Sequence, residues 1–384
     1  MAICFSVNIA NLKTTKTLIA EARRKNPKAM IIVGGPFSES RAKLLFEFLK
    51  PDFIAVGEAE FTLLDILEGK KDIRGVVMKV NNKLIFTGDR VPTINLDQFP
   101  FPALDKVPIK KYNYIPKKKF PISQIMTSRG CPSKCIFCSH NSIWRQRSAL
   151  NVVDEIEWQV KSLGVKEISI MDDNFTLNRK RVIDICNLIL ERKIKVCLQL
   201  GNGARSDRLD YDLLELMKKA GLWLVGIAPE VGYAKGLQKI EKGFTHKHVE
   251  SVVRWCKKLN LVTYAFYTLG YPWEKEHQIK KTTDYAVKLD TDMVQFTRVI
   301  PIEGTPLYES LNLSAAENLS EEGYFIYKSN YMHPFIPDER LQALIKDGYR
   351  TFFLRPKKMI SLLQKLKILD LMELGKYALI TKSM

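Results

Sequence analysis

The chain has no apolar run long enough to span a bilayer and no secretory signal. Its seven cysteines do not form a secreted disulfide framework, because three of them fall within eight residues. Histidine is scarcer, with five in 384 residues, the first being His140. Neither this residue nor His246, His248 or His277 has metal-ligand spacing in a supporting context, so all four read as surface or supporting residues. Acid is in the minority, with 42 Asp and Glu against 60 Lys and Arg, a net charge of +18. These absences argue against a membrane-spanning helix, a disulfide-stapled scaffold and a histidine-built zinc site. A reducing cytoplasm is the setting they suggest.

What is present is a globular composition, 46% hydrophobic and 27% charged, with length for two or three domains. Two stretches concentrate the positive charge. Residues 106–119 hold six lysines and no acid, and residues 355–384 hold seven Lys or Arg against Asp370 and Glu373. Nucleic acid or an anionic membrane would bind such patches, but lysine is spread through the whole chain and a solvated surface is the simpler reading. Cys4, Cys186, Cys197 and Cys256 lie in apolar surroundings and are expected to be buried core thiols.

Strand and helix patterns alternate over most of the length. Apolar strands are expected at 2–7, 29–33 and 53–56, with helices between them, and the last two strands end in Gly34-Gly35-Pro36 and Gly57-Glu58-Ala59-Glu60. That is a parallel sheet with helices on its faces. A hairpin follows over 75–88, turning at Asn81-Asn82. Residues 91–120 are rich in Pro and Lys and read as a linker. From 121 the alternation resumes, with strands at 122–127, 167–171, 196–200, 222–227, 262–269 and 293–299 separated by helical segments. Six strand–loop–helix units predict an open (β/α)6 barrel, whose chemistry belongs in the loops at the strand C-terminal ends. The expected domains are 1–90, the linker 91–120, a core over 121–310 and a helical extension over 311–384. In that extension, residues 359–374 form an apolar, lysine-bearing helix packed on the barrel.

The densest chemistry is Cys131-Pro132-Ser133-Lys134-Cys135-Ile136-Phe137-Cys138, directly after Ser128-Arg129-Gly130. Three thiolates in one loop can anchor three irons of a four-iron cubane and leave the fourth open to a ligand. A zinc site ordinarily needs two paired ligand sets, and a redox dithiol needs only CxxC. This stretch resembles the signature of the radical S-adenosylmethionine superfamily, including the aromatic Phe137 before the third cysteine. The resemblance implies that Cys131, Cys135 and Cys138 hold a [4Fe–4S] cluster. Its open iron would bind S-adenosylmethionine, which one electron from an external donor splits into methionine and a hydrogen-abstracting 5′-deoxyadenosyl radical.

Further motifs follow successive strands in the order the family uses. Asp172-Asp173-Asn174-Phe175-Thr176 resembles the segment that receives the cofactor's amino group, with Asp173 the expected acceptor and a turn or helix cap the plainer role. Arg205 resembles the family's Arg-x-Asp and could pair with the cofactor carboxylate, or simply with Asp207. Glu230 and the run Leu237, Ile240, Lys242-Gly243, Thr245 resemble the segment whose glutamate takes the ribose hydroxyls, although Ala228 and Pro229 depart from its spacing. Gly270-Tyr271-Pro272 resembles the turn near adenine, and Pro301, Gly304, Thr305-Pro306, Tyr308 the closing loop.

Residues 1–69 resemble the C-terminal half of the cobalamin-binding domain that precedes the barrel in one subgroup. The cobalt-ligand motif DxHxxG is absent ahead of His140. A truncated gene, a second chain completing this half-Rossmann-like domain, or a domain without cobalamin would each account for that. The substrate implied is a small or lipid-like molecule undergoing methyl transfer, cyclisation or other C–H chemistry. An RNA-modifying enzyme and a catalytically incomplete partner subunit are the alternatives.

Overall fold

The computed structural model describes residues 1–8, 11–36, 39–112, 114, 116–139, 142–312 and 331–365. His140 and the part of the expected C-terminal helix beyond 365 lie outside the described residues. The chain divides into two compact units, one of Met1–Ile94 with the described part of Tyr308–Asn330, the other of Asn95–Leu307 with the described part of Tyr331–Met384.

In the first unit, β1 (Ala2–Ser6), α1 (Leu12–Lys25), β2 (Met30–Gly34), α2 (Glu39–Leu49), β3 (Phe53–Ala55), α3 (Glu60–Leu67), β4 (Val76–Val80) and β5 (Lys83–Phe86) follow in order. The sheet runs β1-β2-β3-β4-β5, parallel through β3 and antiparallel beyond. β2 is central and buries Ile31, Ile32 and Val33, while Ala42, Leu45 and Phe46 of α2 share the core with Ile31 and Val33. The hairpin turns where expected. Asn81 and Asn82 take φ of 47° and 63°, the left-handed pair a two-residue turn needs, and Val80 faces Lys83. Three expected strands would leave an apolar edge at the third; β4 covers it by pairing Met78 with Phe53. Cys4 is exposed rather than buried, because β1 is an edge strand of the sheet.

The second unit opens with short 3-10 turns between residues 96 and 111. It continues through β6 (Ile122–Ile125), β7 (Ser128–Arg129), β8 (Arg145–Gln146), α4 (Ala149–Leu163), β9 (Glu167–Ile170), α5 (Arg179–Glu191), β10 (Cys197–Ala204), α6 (Tyr211–Lys219), β11 (Leu222–Glu230) and α7 (Ala234–Lys239). After these come α8 (His246–Lys258), β12 (Val262–Leu269), α9 (Glu276–Leu289), β13 (Met293–Arg298), α10 (Pro306–Glu309), α11 (Asp338–Phe353) and α12 (Pro356–Lys365). Six strands form one all-parallel sheet in the order β6-β9-β10-β11-β12-β13, the open barrel that the alternation predicts.

Local chemistry explains the elements. Ser148 caps α4 by accepting from the Asn151 N–H, and Gly164 ends it at φ 69°, where a side chain would be strained. The α4 face carrying Val152, Val153 and Ile156 packs in one core with Ile168, Leu198 and Val225 from the strands. Burial raises the Cys186 and Cys256 thiols to about 12, which makes both inert core residues. At the N-terminal ends of the strands, the buried Glu167 accepts from the Lys118 and Lys119 N–H groups, Gln199 Nε2 and Trp223 Nε1. Desolvation still raises its carboxyl, and the Lys119 and Lys118 N–H groups and Trp223 limit the rise. α11 belongs to the barrel core: Leu341, Leu344, Ile345 and Phe352 pack with Tyr267 and Phe296.

Candidate active site

The three cysteines sit in the loop between β7 and β8, and that two-strand ladder closes the loop at its base by pairing Ser128 with Gln146. Gly130 precedes the first cysteine at φ 78°, and a Cβ there would meet Ser142 Oγ at 2.5 Å and Ile143 O at 2.6 Å. Only glycine fits. Main-chain bonds hold the loop: Ser142 N–H to Cys131 O (3.1 Å), Cys138 N–H to Cys135 O (3.1 Å) and Ile136 N–H to Ile240 O (3.2 Å). The Leu307 N–H donates to Ile136 O at 2.9 Å, which ties in the start of α10. None of the three is in a disulfide; Cys135 is buried and the other two are half-buried.

The loop after β9 meets this one. Asp172 is buried and accepts from the Thr127 N–H (2.6 Å) and from the Thr127 and Ser128 hydroxyls, with Arg181 at 3.6 Å. Burial pushes its carboxyl up and these donors pull it down. It is a clamp between strand ends. Asp173 accepts from the Gly130 N–H at 3.2 Å. Asn174 turns its Nδ2 toward Cys131 Sγ at 3.7 Å, and its buried Oδ1 has no hydrogen-bond partner among the described residues. A buried acceptor without a donor is costly unless a ligand supplies one.

Glu230 closes β11 at φ 64°, beyond a break in register between Ile227 and Glu230. The departure at Ala228 and Pro229 is therefore absorbed in an extended, bulged strand end. One Glu230 oxygen receives Lys242 Nζ at 2.6 Å and the other Thr268 Oγ1 at 2.9 Å. Lys242 also lies 5.5 Å from the centre of the Phe137 ring. Arg205 directs two N–H groups at Asp207 (3.0 and 3.1 Å) and a third at Ser133 Oγ in the cysteine loop (2.8 Å).

Gly270 starts the next turn at φ 87°, and its N–H and that of Tyr271 donate to the fully buried Glu274 at 2.7 and 2.9 Å. The Tyr233 hydroxyl gives Glu274 a third hydrogen bond at 3.0 Å. Burial raises the Glu274 carboxyl to about 7. Tyr271 stacks on Trp273 and meets Phe137 edge-on, with ring centres 6.1 Å apart.

Among the described residues no three His, Cys, Asp or Glu side chains converge on one metal ion. A cluster whose thiolates each take a different iron needs no such convergence. Three thiols outside any disulfide in one pinned loop, with the orphaned Asn174 Oδ1 beside the first, fit a cluster with a ligand that carries an N–H donor. The structure brings Cys131, Cys135, Cys138, Phe137, Asp173 and Arg205 together around one loop, with Glu230 joined through Lys242 and the 270–272 turn through Tyr271. Thr268 and Glu274 were not legible as site residues, and Lys242 only as part of the motif run. For Thr268 and Lys242 the signal is spatial, two donors from different loops meeting one acid, while Glu274 draws two N–H donors from its own turn and the Tyr233 hydroxyl from another loop.

Residues 125–286 match the radical SAM superfamily. An uncharacterised methyltransferase of Pyrococcus horikoshii is 30% identical over 358 residues, covering 90% of this chain and 76% of that protein. The anaerobic magnesium-protoporphyrin IX monomethyl ester cyclase of Rubrivivax gelatinosus is 26% identical over 91% of this chain and 65% of its own length. The solved structure of TsrM, a radical S-adenosylmethionine methyltransferase from Kitasatospora setae with cobalamin and a [4Fe–4S] cluster bound, aligns with a TM-score of 0.71. Its identity is 17%, covering 93% of this chain and 79% of that one, so the likeness is one of fold. The chain belongs to the radical S-adenosylmethionine superfamily. It is an enzyme of that class, with a [4Fe–4S] cluster and S-adenosylmethionine as cofactors.

Proposed function

We propose that Cys131, Cys135 and Cys138 hold the cluster, that Asp173 and Asn174 receive the ammonium of S-adenosylmethionine, and that Glu230 receives its ribose hydroxyls. Phe137 and the Gly270–Pro272 turn flank the adenine end. When bound, the cluster supplies the electron that splits the sulfonium C–S bond into methionine and a 5′-deoxyadenosyl radical. The chain's own residues bind and orient. Asn174 Oδ1 accepts the proton-bearing ammonium, and Lys242 with Thr268 holds the Glu230 carboxylate in one rotamer with lone pairs to spare. Arg205, already paired with Asp207, braces the cysteine loop through Ser133. The substrate is a small organic or lipid-like molecule, modified at a C–H bond by methyl transfer or ring closure, the chemistries named in the two relatives. An external one-electron donor serves it in the cytoplasm.

The orphaned acceptor of Asn174 beside free Cys131 carries this reading. Cobalamin is a possible further cofactor, although residues 1–94 hold no histidine to ligate cobalt. The test is anaerobic reconstitution with iron and sulfide, reduction with S-adenosylmethionine present, and chromatography for 5′-deoxyadenosine. The expected product disappears in Cys135→Ala; a variant that cleaves at the wild-type rate would sink the assignment. Cleavage that requires a second protein would point instead to an incomplete subunit.

A further inference from the structure

We propose that two largely buried ion pairs, Lys242–Glu230 and Arg205–Asp207, turn their positive ends to the cysteine loop, and that Lys242 thereby raises the reduction potential of the cluster. This rests on the reading of the loop as the cluster's holder. Lys242 Nζ lies 2.6 Å from one Glu230 oxygen and 5.5 Å from the centre of the Phe137 ring, which stands in the chain between Cys135 and Cys138. The other Glu230 oxygen turns away to Thr268 Oγ1 on β12 at 2.9 Å. The lysine therefore occupies the loop's side of its acid. Of the charges that act on Cys135, Lys242 acts most strongly, ahead of Glu230 and Arg205.

Arg205 repeats the arrangement. Its Nη1 reaches Ser133 Oγ in the loop at 2.8 Å, while Nε and Nη2 hold Asp207. The buried Phe244 ring faces both cations, its centre 5.4 Å from Arg205 and 5.8 Å from Lys242. Each pair is neutral as a whole, so its field fades at long range. At the loop, a distance comparable to the pair's own length, the nearer charge prevails. One-electron reduction adds one negative charge to the cluster, and a buried cation beside it favours the reduced form in surroundings that screen poorly. Lys242 acts through that field and is a positioning residue: it touches neither substrate nor a reacting atom.

The test is a redox titration of the cluster-loaded protein without S-adenosylmethionine, read by electron paramagnetic resonance. Lys242→Met is expected to shift the equilibrium about tenfold toward the oxidised cluster, about 59 mV lower for a one-electron couple. Glu230→Gln should shift it the other way, by about threefold, because the lysine charge is then uncompensated. The double variant Glu230→Gln/Lys242→Met leaves no buried charge stranded and keeps the net charge, yet should still lie about threefold toward the oxidised form. Lys242→Arg should stay within about twofold of wild type. So should Lys134→Met, which removes a charge from the loop itself but from an exposed, hydrated side chain. A double variant at the wild-type potential would overturn the proposal. Shifts of the same sign in Lys242→Met and Glu230→Gln would do so too, since a merely loosened loop gives that result. Loss of the cluster from both lysine-to-methionine proteins would make Lys242 structural and overturn it as well. Wild-type protein that takes up no cluster would instead overturn the reading of the loop.

Discussion

Glu274 gives the sharpest quantitative test of the strand-end geometry. It is 0% exposed, and its carboxyl is raised from 4.5 to about 7 by burial, against three hydrogen bonds that favour the charged form. At about 1.4 kcal/mol per tenfold change in affinity, that gap is roughly 3 kcal/mol. The sign follows from the direction. The folded protein holds this proton more tightly than the unfolded chain, so the contribution is fully present below 4.5 and is lost as pH rises through about 7. Between pH of about 5 and about 8.5 wild type should therefore lose about 2 to 3 kcal/mol more than Glu274→Gln, which keeps an acceptor for the Gly270 and Tyr271 N–H groups but cannot ionise. Glu274→Ala behaves differently. It strands two buried N–H groups and the Tyr233 hydroxyl, costing roughly 3 to 6 kcal/mol at every pH. Denaturant unfolding followed by tryptophan fluorescence at a series of pH values measures all three proteins. Parallel pH profiles for wild type and the Gln variant would refute the argument.

Asn174→Ala should weaken S-adenosylmethionine binding by about five- to tenfold, by calorimetry on the loaded protein, with little change in melting temperature, because the lost acceptor has no partner among the described residues. An unchanged affinity would mean that Oδ1 faces no ligand donor. Gly130→Ala should fold yet retain less than about half of the wild-type iron and sulfide, since its Cβ must displace Ser142 or Ile143 at 2.5 and 2.6 Å. Full cluster content in that variant would show that the loop yields at no cost.

The barrel was legible because its strands are apolar runs of the right length, each ended by residues with strong local demands. Cys131 to Cys138, Gly270-Tyr271-Pro272 and Asn81-Asn82 announce themselves by chemistry or by the backbone angles they permit. Bonds that cross the sheet left no such trace. Asp172 finds Thr127 across 45 residues and Glu230 finds Thr268 across 38, and nothing in the spacing of either pair sets it apart from other Asp, Glu and Thr pairs. Cys4 looked like core because its neighbours are apolar; only the strand order reveals that β1 lies at an edge. The position of Glu230 was also obscured, since a proline two-residue step from the strand suggested a loop where the structure keeps an extended, bulged end.

These crossing bonds decide which acids at the strand ends remain able to take a ligand. Asp172 is enclosed by a backbone N–H, two hydroxyls and Arg181, and Glu274 by two backbone N–H groups and a phenol, so both act on the frame. Glu230 receives one donor on each oxygen, which leaves about two of a carboxylate's four acceptor positions for hydroxyls. Asn174 keeps a whole oxygen unengaged among the described residues. A buried carboxylate carries a desolvation cost that fixed donors must offset before it can be held in place. The donors around Asp172 and Glu274 offset that cost only in part, since burial still raises both carboxyls, but they occupy the acceptor positions; Glu230 is held by one donor on each oxygen and is thereby both rigid and receptive. Acids of the same type thus divide by how many donors their neighbours aim at them, and those left incomplete keep acceptor positions open to a ligand.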